Sequence, residues 1–166
     1  MTTDLIKDNK IALFLDTCAR IEGSCAELYH YYSEIFQECK ETSDLWKKTA
    51  LEEENHKRQF ELALRLHENA EFALVTDLDD TYRIYHRLQN LLEHVRVNPP
   101  DMITALTKAI EMEERLAGLH MESSVRFGNK SIQEMFQAMS DFDHEHVNSL
   151  KRLQTILMLP RTVMAG

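Results

Sequence analysis

Hydrophobic residues recur at intervals of three and four along almost the whole chain, which is the period of an amphipathic α-helix. Four stretches are long enough for core helices: residues 4–39, 44–69, 101–125 and 131–159. A shorter amphipathic stretch, 82–97, ends at Asn98-Pro99-Pro100, where proline cannot continue a helix. The pattern therefore predicts four core helices and one additional helix on a connection.

The lengths of the connections predict how these helices are arranged. Short turns at 40–43 and 127–130 require the helices on either side of them to run antiparallel. The long crossover, residues 70–100, allows the second and third core helices to run parallel. We therefore expect an all-α four-helix bundle made of two antiparallel hairpins.

Composition agrees with a single helical domain. The chain has 166 residues but only four glycines and three prolines, and this length is sufficient for one core. We expect one domain at residues 1–160 and a flexible tail at 161–166. The net charge of −9 argues against nucleic acid as a partner, because phosphates attract basic surfaces.

The sequence also limits the expected compartment. No basic segment followed by an apolar run opens the chain, and no stretch approaches the ~18 apolar residues of a membrane-spanning helix. The three cysteines form no C-x-x-C pair, which favours reduced thiols. We expect a cytoplasmic protein that binds no membrane.

Charged or ionisable residues interrupt the apolar stripes of all four core helices. They are Glu22 in the first helix, Glu53 and His56 in the second, Glu113 in the third, and Asp143 and His146 in the fourth. In the second and fourth helices the acid precedes the histidine by three residues, which places both on one side of a helix, about one turn apart. A carboxylate and an imidazole at this spacing can reach the same metal ion.

An internal repeat relates the two hairpins. Cys18-x3-Glu22-x2-Cys25 in the first helix matches Ala109-x3-Glu113-x2-Leu116 in the third, and the two acid-x-x-His pairs match each other. The midpoint of Glu22 and His56 is residue 39, and that of Glu113 and His146 lies between residues 129 and 130. Both midpoints fall at or beside predicted turns, so all four residues should lie at the same height in the bundle.

Acid-x-x-His pairs occur readily in a sequence this rich in acids. Two further pairs, Glu27 with His30 and Asp141 with His144, lie on polar faces of their helices. We interpret these two as surface pairs. Only the pairs within apolar stripes are retained as candidate ligands.

The alternative to a metal site is a buried polar network or a histidine that is satisfied by hydrogen bonds. Four carboxylates in an apolar core carry a large desolvation cost, and no lysine or arginine shares their stripes. Two divalent cations would balance the four negative charges. Oxygen ligands combined with imidazole suit iron or manganese, whereas zinc sites more often use thiolates or three histidines.

Two further residues lie two turns beyond the single glutamates. Tyr29 follows Glu22 by seven residues, and His120 follows Glu113 by the same interval. Tyr29 could donate a hydrogen bond to a ligand carboxylate, and His120 could support a ligand or act as one. Packing in the core is the alternative for each.

Small residues within the helices have structural interpretations. Cys18 and Cys25 lie in the first apolar stripe, where we expect them to fill space rather than react. Gly23 and Gly118 each cost about 1 kcal/mol relative to alanine inside a helix. We expect them to mark a close approach between helices.

The arrangement of one Glu on each of two helices and acid-x-x-His on each of the other two resembles the ferritin-like di-iron carboxylate proteins. The hairpin repeat and the sequence Ile110-Glu111-Met112-Glu113-Glu114 resemble the rubrerythrin branch, over residues 4–158. The resemblance implies a non-haem di-iron centre that reacts with dioxygen or hydrogen peroxide. It implies that the six stripe residues are the iron ligands and, since dimers are common in this superfamily, a homodimer.

The chain departs from the rubrerythrin pattern in three places. Asp143 stands where the family usually has Glu, and Leu116 stands where rubrerythrins carry a second Glu, with Glu114 as an auxiliary candidate nearby. No C-x-x-C pairs follow residue 158, so we expect no rubredoxin-like module. Electrons would then come from a separate donor protein or from Fe(II).

We therefore expect an oxidoreductase of the di-iron peroxidase or ferroxidase type. Two alternatives stay open at this point. One is a non-catalytic bundle in which the metal has a structural role, and the other is a dimanganese centre with catalase-like activity.

Overall fold

Five helices and two short strands make up the described part of the chain. They are α1 (Thr2–Ile35), α2 (Lys40–Leu66), β1 (Phe72–Leu74), α3 (Leu78–Val97), α4 (Met102–His120), β2 (Val125–Phe127) and α5 (Lys130–Met158). The computed structural model describes residues 2–66, 72–74, 78–120, 125–127 and 130–159, with side chains at 9–66, 78–118 and 130–159. The predicted tail, 161–166, lies outside these residues. None of the described helices is long and apolar enough to cross a membrane.

The predicted all-α class is confirmed, and the core helices pack in antiparallel pairs. α1 packs against α2, α4 against α5, and α2 against α5. Successive contacts run in opposite directions along each pair. Between α1 and α2, Glu22 meets His56 and His30 meets Glu54. Between α4 and α5, Thr107 meets Gln154 and Glu114 meets Lys151, and between α2 and α5, Glu53 meets His146 and Phe60 meets Phe136. Because both α2 and α4 are antiparallel to α5, they run parallel to each other.

The turn between α1 and α2 lies earlier than predicted. α1 ends at Ile35 and α2 begins at Lys40, so the turn covers 36–39 rather than 40–43. Hydrogen bonds from the Cys39 N–H to the Phe36 carbonyl, 3.2 Å, and from the Ser43 N–H to the Cys39 carbonyl, 2.9 Å, close the turn and start α2. The Ser43 hydroxyl donates to the Ser33 carbonyl at 2.8 Å and joins the two helices.

The crossover helix α3 packs along the outside of α1. Gln89 donates to the Ser24 hydroxyl at 2.7 Å, and the Tyr31 hydroxyl donates to the Val95 carbonyl at 2.9 Å. Because both contacts advance in the same direction, α3 runs parallel to α1. Its first turn carries Asp79, and it ends at Val97 before the two prolines, as the sequence predicts.

The two strands were not expected from the sequence. The third core helix was predicted to reach residue 125, but α4 ends at His120 and Val125 begins β2. β1 and β2 pair antiparallel, with Ala73 opposite Arg126. Since α2 and α4 run parallel, the segments that follow them leave the same end of the bundle and can pair. Val125 and Phe127 also suit a strand.

The glycines do not mark a close approach between helix backbones. A Cβ atom at Gly23 would lie 3.4 Å from Cδ of Lys57, which is the flexible part of that side chain. A Cβ atom at Gly118 would meet no atom within 4 Å among the described residues. The expectation of close approach is therefore wrong at both positions.

The apolar interior is divided into two clusters along the bundle. One contains Tyr29, Trp46 and Leu106, and the other contains Phe14, Phe60 and Phe136 among their buried members. On α1, α2 and α5, the polar stripe residues lie between a residue of one cluster and a residue of the other. The candidate site thus occupies a polar layer with apolar packing on both sides.

Candidate metal centre

Four helices bring the six stripe residues together in this polar layer. α1 supplies Glu22, α2 supplies Glu53 and His56, α4 supplies Glu113, and α5 supplies Asp143 and His146. The exposed fraction of each of these residues is at most 5%. Each lies in the apolar stripe of its helix, so folding that buries the stripe also buries the charge.

Three carboxylates lie around the Nδ1 atom of His56. Its Nδ1 atom lies 3.3 Å from Glu53 Oε2, 3.6 Å from Glu22 Oε2 and 3.6 Å from Asp143 Oδ1. One ligand atom each from Glu22, Glu53 and His56 lies within 4.8 Å of the other two. This set can place oxygen and nitrogen donors around a single cation.

A second set lies around His146. Its Nδ1 atom lies 3.1 Å from Glu53 Oε1. Ligand atoms of Glu53, Glu113 and His146 again lie within 4.8 Å of one another. The two sets therefore share one residue, Glu53.

Glu53 directs a different oxygen at each histidine. Oε2 faces His56 and Oε1 faces His146, while the two imidazole rings lie 5.9 Å apart at 29°. A carboxylate with one oxygen in each of two donor sets has the geometry of a bridging ligand. The helices thus form two adjacent donor sets that could each hold a cation.

Asp143 approaches the histidine of another helix as well as following the acid-x-x-His spacing of its own. Its Oδ1 atom lies 3.6 Å from Nδ1 of His56 on α2. Its carboxylate can therefore contribute a donor beside His56.

Tyr29 contacts the second set through its hydroxyl group, which donates a hydrogen bond to Glu113 Oε1. Burial, and then the charge of Glu113, raise the pKa of Tyr29 well above its usual value. The phenol thus remains protonated and available as a donor. The side chain of His120, the other predicted support residue, lies outside the described residues.

Glu52 is a residue of the site that the sequence did not indicate. Its Oε2 atom forms an ion pair with Nε2 of His146, on the side of the ring opposite Glu53. Its side chain is 26% exposed, and Lys48 Nζ lies 3.7 Å from its other oxygen. A carboxylate behind a metal-binding histidine fixes the orientation of the ring. Glu52 appears in the sequence as a flanking acid and is identified only by the position of α5.

The carboxylates alter the pKa of both histidines. Burial alone would lower the pKa of His56, but Glu22 and Glu53 raise it to about 10. Burial acts in the same way on His146, whereas Glu52 and Glu53 raise its pKa to about 11. Without a cation, protons thus supply the positive charge that this cluster needs.

The pKa of the Glu113 carboxyl group is also shifted in favour of its protonated form. Burial first, and then the charge of Glu53, raise the pKa of Glu113 well above its usual value. A bound cation would favour its ionised form. The electrostatics of the second set therefore favour positive charge at the same place.

Other candidates from the sequence lie outside the site. Glu114 forms an ion pair with Lys151 at 2.6 Å and is half exposed, so it is not an auxiliary ligand. His30 pairs with Glu54 at 2.8 Å, and both are more than one-third exposed. Asp141 and His144 are exposed. The sequence predicts that the acid-x-x-His pairs containing His30 and His144 lie on the surface, and the positions of these two histidines agree with that prediction.

The two cysteines near the site are buried among apolar residues. Burial, followed by the charge of Glu22, raises the pKa of both Cys18 and Cys25 well above the usual thiol value. They therefore remain neutral thiols, which are weak nucleophiles and poor metal ligands.

Comparison of the chain with protein-family models, curated proteins and solved structures gives no match in any of the three. The chemical interpretation of the site consequently depends on its own residues.

The donor set fits a pair of divalent cations. Four carboxylates and two imidazoles converge, and buried atoms such as Glu53 Oε1 and His146 Nδ1 lie close together without forming a well-directed hydrogen bond. Atoms that face a common space in this way are suited to a shared ion rather than to each other. Oxygen-rich sites with imidazole are typical of iron and manganese.

Proposed function

We propose that this chain is a ferritin-like di-iron carboxylate protein of the rubrerythrin type, which reacts with hydrogen peroxide or dioxygen. Its activity would be peroxide reduction or Fe(II) oxidation, with electrons from a separate donor protein or from Fe(II) itself. The observation that carries the proposal is the position of Glu53, whose two oxygens face the two histidines at 3.3 and 3.1 Å. A single-ion structural site has no need for such a shared carboxylate.

Each residue has a defined part in this proposal. Glu22, His56 and Asp143 would hold one iron, Glu113 and His146 would hold the other, and Glu53 would bridge them. When bound, the iron pair supplies the ability to exchange two electrons with a small oxidant. The residues around the pair set its geometry through directed contacts.

The second set has two supporting residues. Tyr29 donates to Glu113 Oε1 and limits the rotation of that carboxylate. Glu52 pairs with Nε2 of His146, so Nδ1 is the nitrogen directed at the centre. Removing either contact should alter the centre without removing a ligand.

Burial determines which molecules can reach the site. The six residues lie between two apolar clusters, and each is at most 5% exposed. Side chains covered this completely by the described residues are poorly placed to contact a large organic substrate, whereas hydrogen peroxide and dioxygen are small enough to enter through local fluctuations. This favours a small oxidant as the substrate.

The test begins with anaerobic loading of the purified protein with Fe(II) and measurement of bound iron. Peroxide or oxygen is then added, and the charge-transfer absorption of the ferric product is followed. We expect two irons per chain and oxidation much faster than that of free Fe(II) in the same buffer. Iron that is retained but does not react would contradict the redox proposal, as would protein that binds no iron.

A further inference from the structure

A cleft with a volume of about 580 Å³ lies between the crossover helix α3 and the core helix α4. Arg87 and His94 line it from α3, and Lys108 and Arg115 line it from α4. In each helix the two residues are seven positions apart, which places them on one side of the helix about two turns from each other. Each wall of the cleft therefore carries a basic or imidazole side chain near either end.

The directions of the two helices determine which of these side chains share an end of the cleft. α3 runs parallel to α1, whereas α4 runs antiparallel to α1, so α3 and α4 are antiparallel to each other. The short connection at 98–101 joins them. Arg87 and Arg115 are the residues farther from this connection, so they share one end of the cleft. His94 and Lys108 share the other end.

The end with the two arginines carries an excess of positive charge. Both arginine side chains are exposed, and no carboxylate among the described residues forms an ion pair with either of them. At the other end, Lys108 pairs at 2.9 Å with Glu111, the acid among the described lining residues. The chain as a whole has a net charge of −9, so this cluster of basic side chains stands apart from the rest of the molecule. Two unpaired guanidinium groups in one place suit a phosphate or a carboxylate.

Apolar side chains form the middle of the cleft. Leu91 follows Arg87 by four residues and Met112 follows Lys108 by four, so each lies one turn further along the lining side of its helix. Met112 is 8% exposed, and Leu91 is partly buried against the same core cluster. Asn90 adds an amide group beside Leu91. Because a thioether packs well against aromatic rings, the middle of the cleft suits a flat ring.

We propose that this cleft binds a mononucleotide, with its phosphate between Arg87 and Arg115 and its base against Leu91 and Met112. A phosphate monoester carries a charge of about −1.5 to −2 near neutral pH, which matches two guanidinium groups, whereas a carboxylate supplies a single charge. The volume falls within the roughly 300–1,000 Å³ that is typical of small-molecule sites. The cleft shares no residue with the metal centre, so this inference does not rest on the function proposed above.

The two parts of the site predict how simpler ligands should bind. Inorganic phosphate can reach the arginines but leaves Leu91 and Met112 in contact with water. Adenosine can cover these two apolar side chains but brings no charge to the arginines. Adenosine monophosphate (AMP) combines both contacts in one molecule, so it should bind more tightly than either.

The experiment is isothermal titration calorimetry of the purified chain with AMP, adenosine and inorganic phosphate in turn. The protein is used as purified, in a buffer without added metal. We expect one AMP to bind per chain, with adenosine and inorganic phosphate each bound at least about tenfold more weakly. Leu91→Asn should weaken the binding of AMP and adenosine and leave that of inorganic phosphate unchanged.

Arg87→Gln and Arg115→Gln test the position of the phosphate. Each variant removes charge-assisted hydrogen bonds, so its affinity for AMP should fall by about tenfold or more, while its affinity for adenosine stays the same. Arg96→Gln is the matched control, because Arg96 belongs to the same helix but pairs with Glu27 of α1 and does not line the cleft. It should bind AMP as the wild type does. Thermal unfolding followed by circular dichroism verifies that each variant is folded.

Four results would overturn the proposal. The first is that AMP does not bind, and the second is that inorganic phosphate binds as tightly as AMP, which would indicate a site for an adventitious ion only. The third is that AMP affinity is unchanged in both Arg87→Gln and Arg115→Gln. The fourth is that Arg96→Gln weakens AMP binding as much as they do, because the attraction would then come from the overall charge of the helix.

Discussion

Glu53 on α2 and Asp143 on α5 occupy corresponding positions in the two hairpins, yet they make different contacts. Glu53 reaches both histidines, at 3.3 Å and 3.1 Å, and so belongs to both donor sets. Asp143 lies 3.6 Å from the histidine of the other hairpin. One methylene separates the two side chains, and of the two only Glu53 is a member of both donor sets found among the described residues.

The residues just before these acids also differ. Glu52 precedes Glu53 and pairs with Nε2 of His146. Phe142 precedes Asp143, and its side chain, which is 47% exposed, has no carboxylate that could support a histidine. The first hairpin thus provides both the shared ligand and the support for a ligand of the second. The repeat fixes where the site lies, and the departures from the repeat make its two halves unequal.

The strongest test of this inequality is Glu53→Gln. Because Glu53 belongs to both donor sets, we expect the variant to lose both metal ions. Metal per chain, measured by elemental analysis after desalting, is the readout. Glu54→Gln is the control, since Glu54 lies on the outer face against His30, and it should bind as the wild type does. Retention of one ion by Glu53→Gln would show that Glu53 serves a single set.

Glu22→Gln and Glu113→Gln form a matched pair with a smaller effect. Each residue belongs to one donor set only, so each variant should lose one ion and keep the other. Both changes preserve side-chain shape, which limits packing effects. Elemental analysis again gives the result. Loss of both ions in either variant would mean that the two sites cannot be filled independently.

Metal affinity should rise with pH in both halves. The pKa values of His56 and His146 in the metal-free protein are about 10 and 11, so both imidazoles are protonated near neutrality. A metal ion at each donor set must displace the proton of the histidine in that set, so the apparent affinity of each site should increase about tenfold per pH unit. Zn²⁺ titrations one pH unit apart, with proton release followed by an indicator dye, measure this effect. An affinity that does not change with pH would contradict the protonated state.

Glu52→Gln should weaken one of the two sites. Loss of a carboxylate behind a metal-binding histidine typically costs about 10- to 100-fold in affinity. We therefore expect the ion beside His146 to bind more weakly while the other is unchanged, as measured by competition with a chelator. Glu61→Gln serves as the control, because within the described part of the chain this carboxylate on the same helix pairs with the half-exposed Lys57. Equal weakening of both ions would argue against the assignment of Glu52 to one half.

The smallest expected effect concerns the two glycines within core helices, Gly23 and Gly118. Gly23→Ala should stabilise the protein by about 0.5–1 kcal/mol, because alanine favours the helix and the new methyl would meet only the flexible Lys57 side chain. Gly118 lies near the end of α4, where less helix is gained, so Gly118→Ala should contribute less. Urea unfolding of the metal-free protein measures both. Destabilisation by Gly23→Ala would indicate that Lys57 cannot move aside.

The periodic pattern was sufficient for the helices and for the positions of the six polar residues, because each side of a helix is set by sequence spacing alone. It failed at the turn, where nothing in the hydrophobic pattern distinguishes 36–39 from 40–43. It also failed at residue 125, where helix propensity does not reveal that two parallel helices bring β1 beside β2. Glu52 was missed because its partner belongs to another helix.

The sequence by itself determined that charged side chains would lie within apolar stripes, at matching heights on four helices. This follows from helical period and turn position, which are local properties. Only the tertiary structure decided that Glu53 would face both histidines, that Asp143 would approach His56, and that Glu52 would support His146. These contacts depend on the distances between helices and on side-chain length, which no periodic pattern contains.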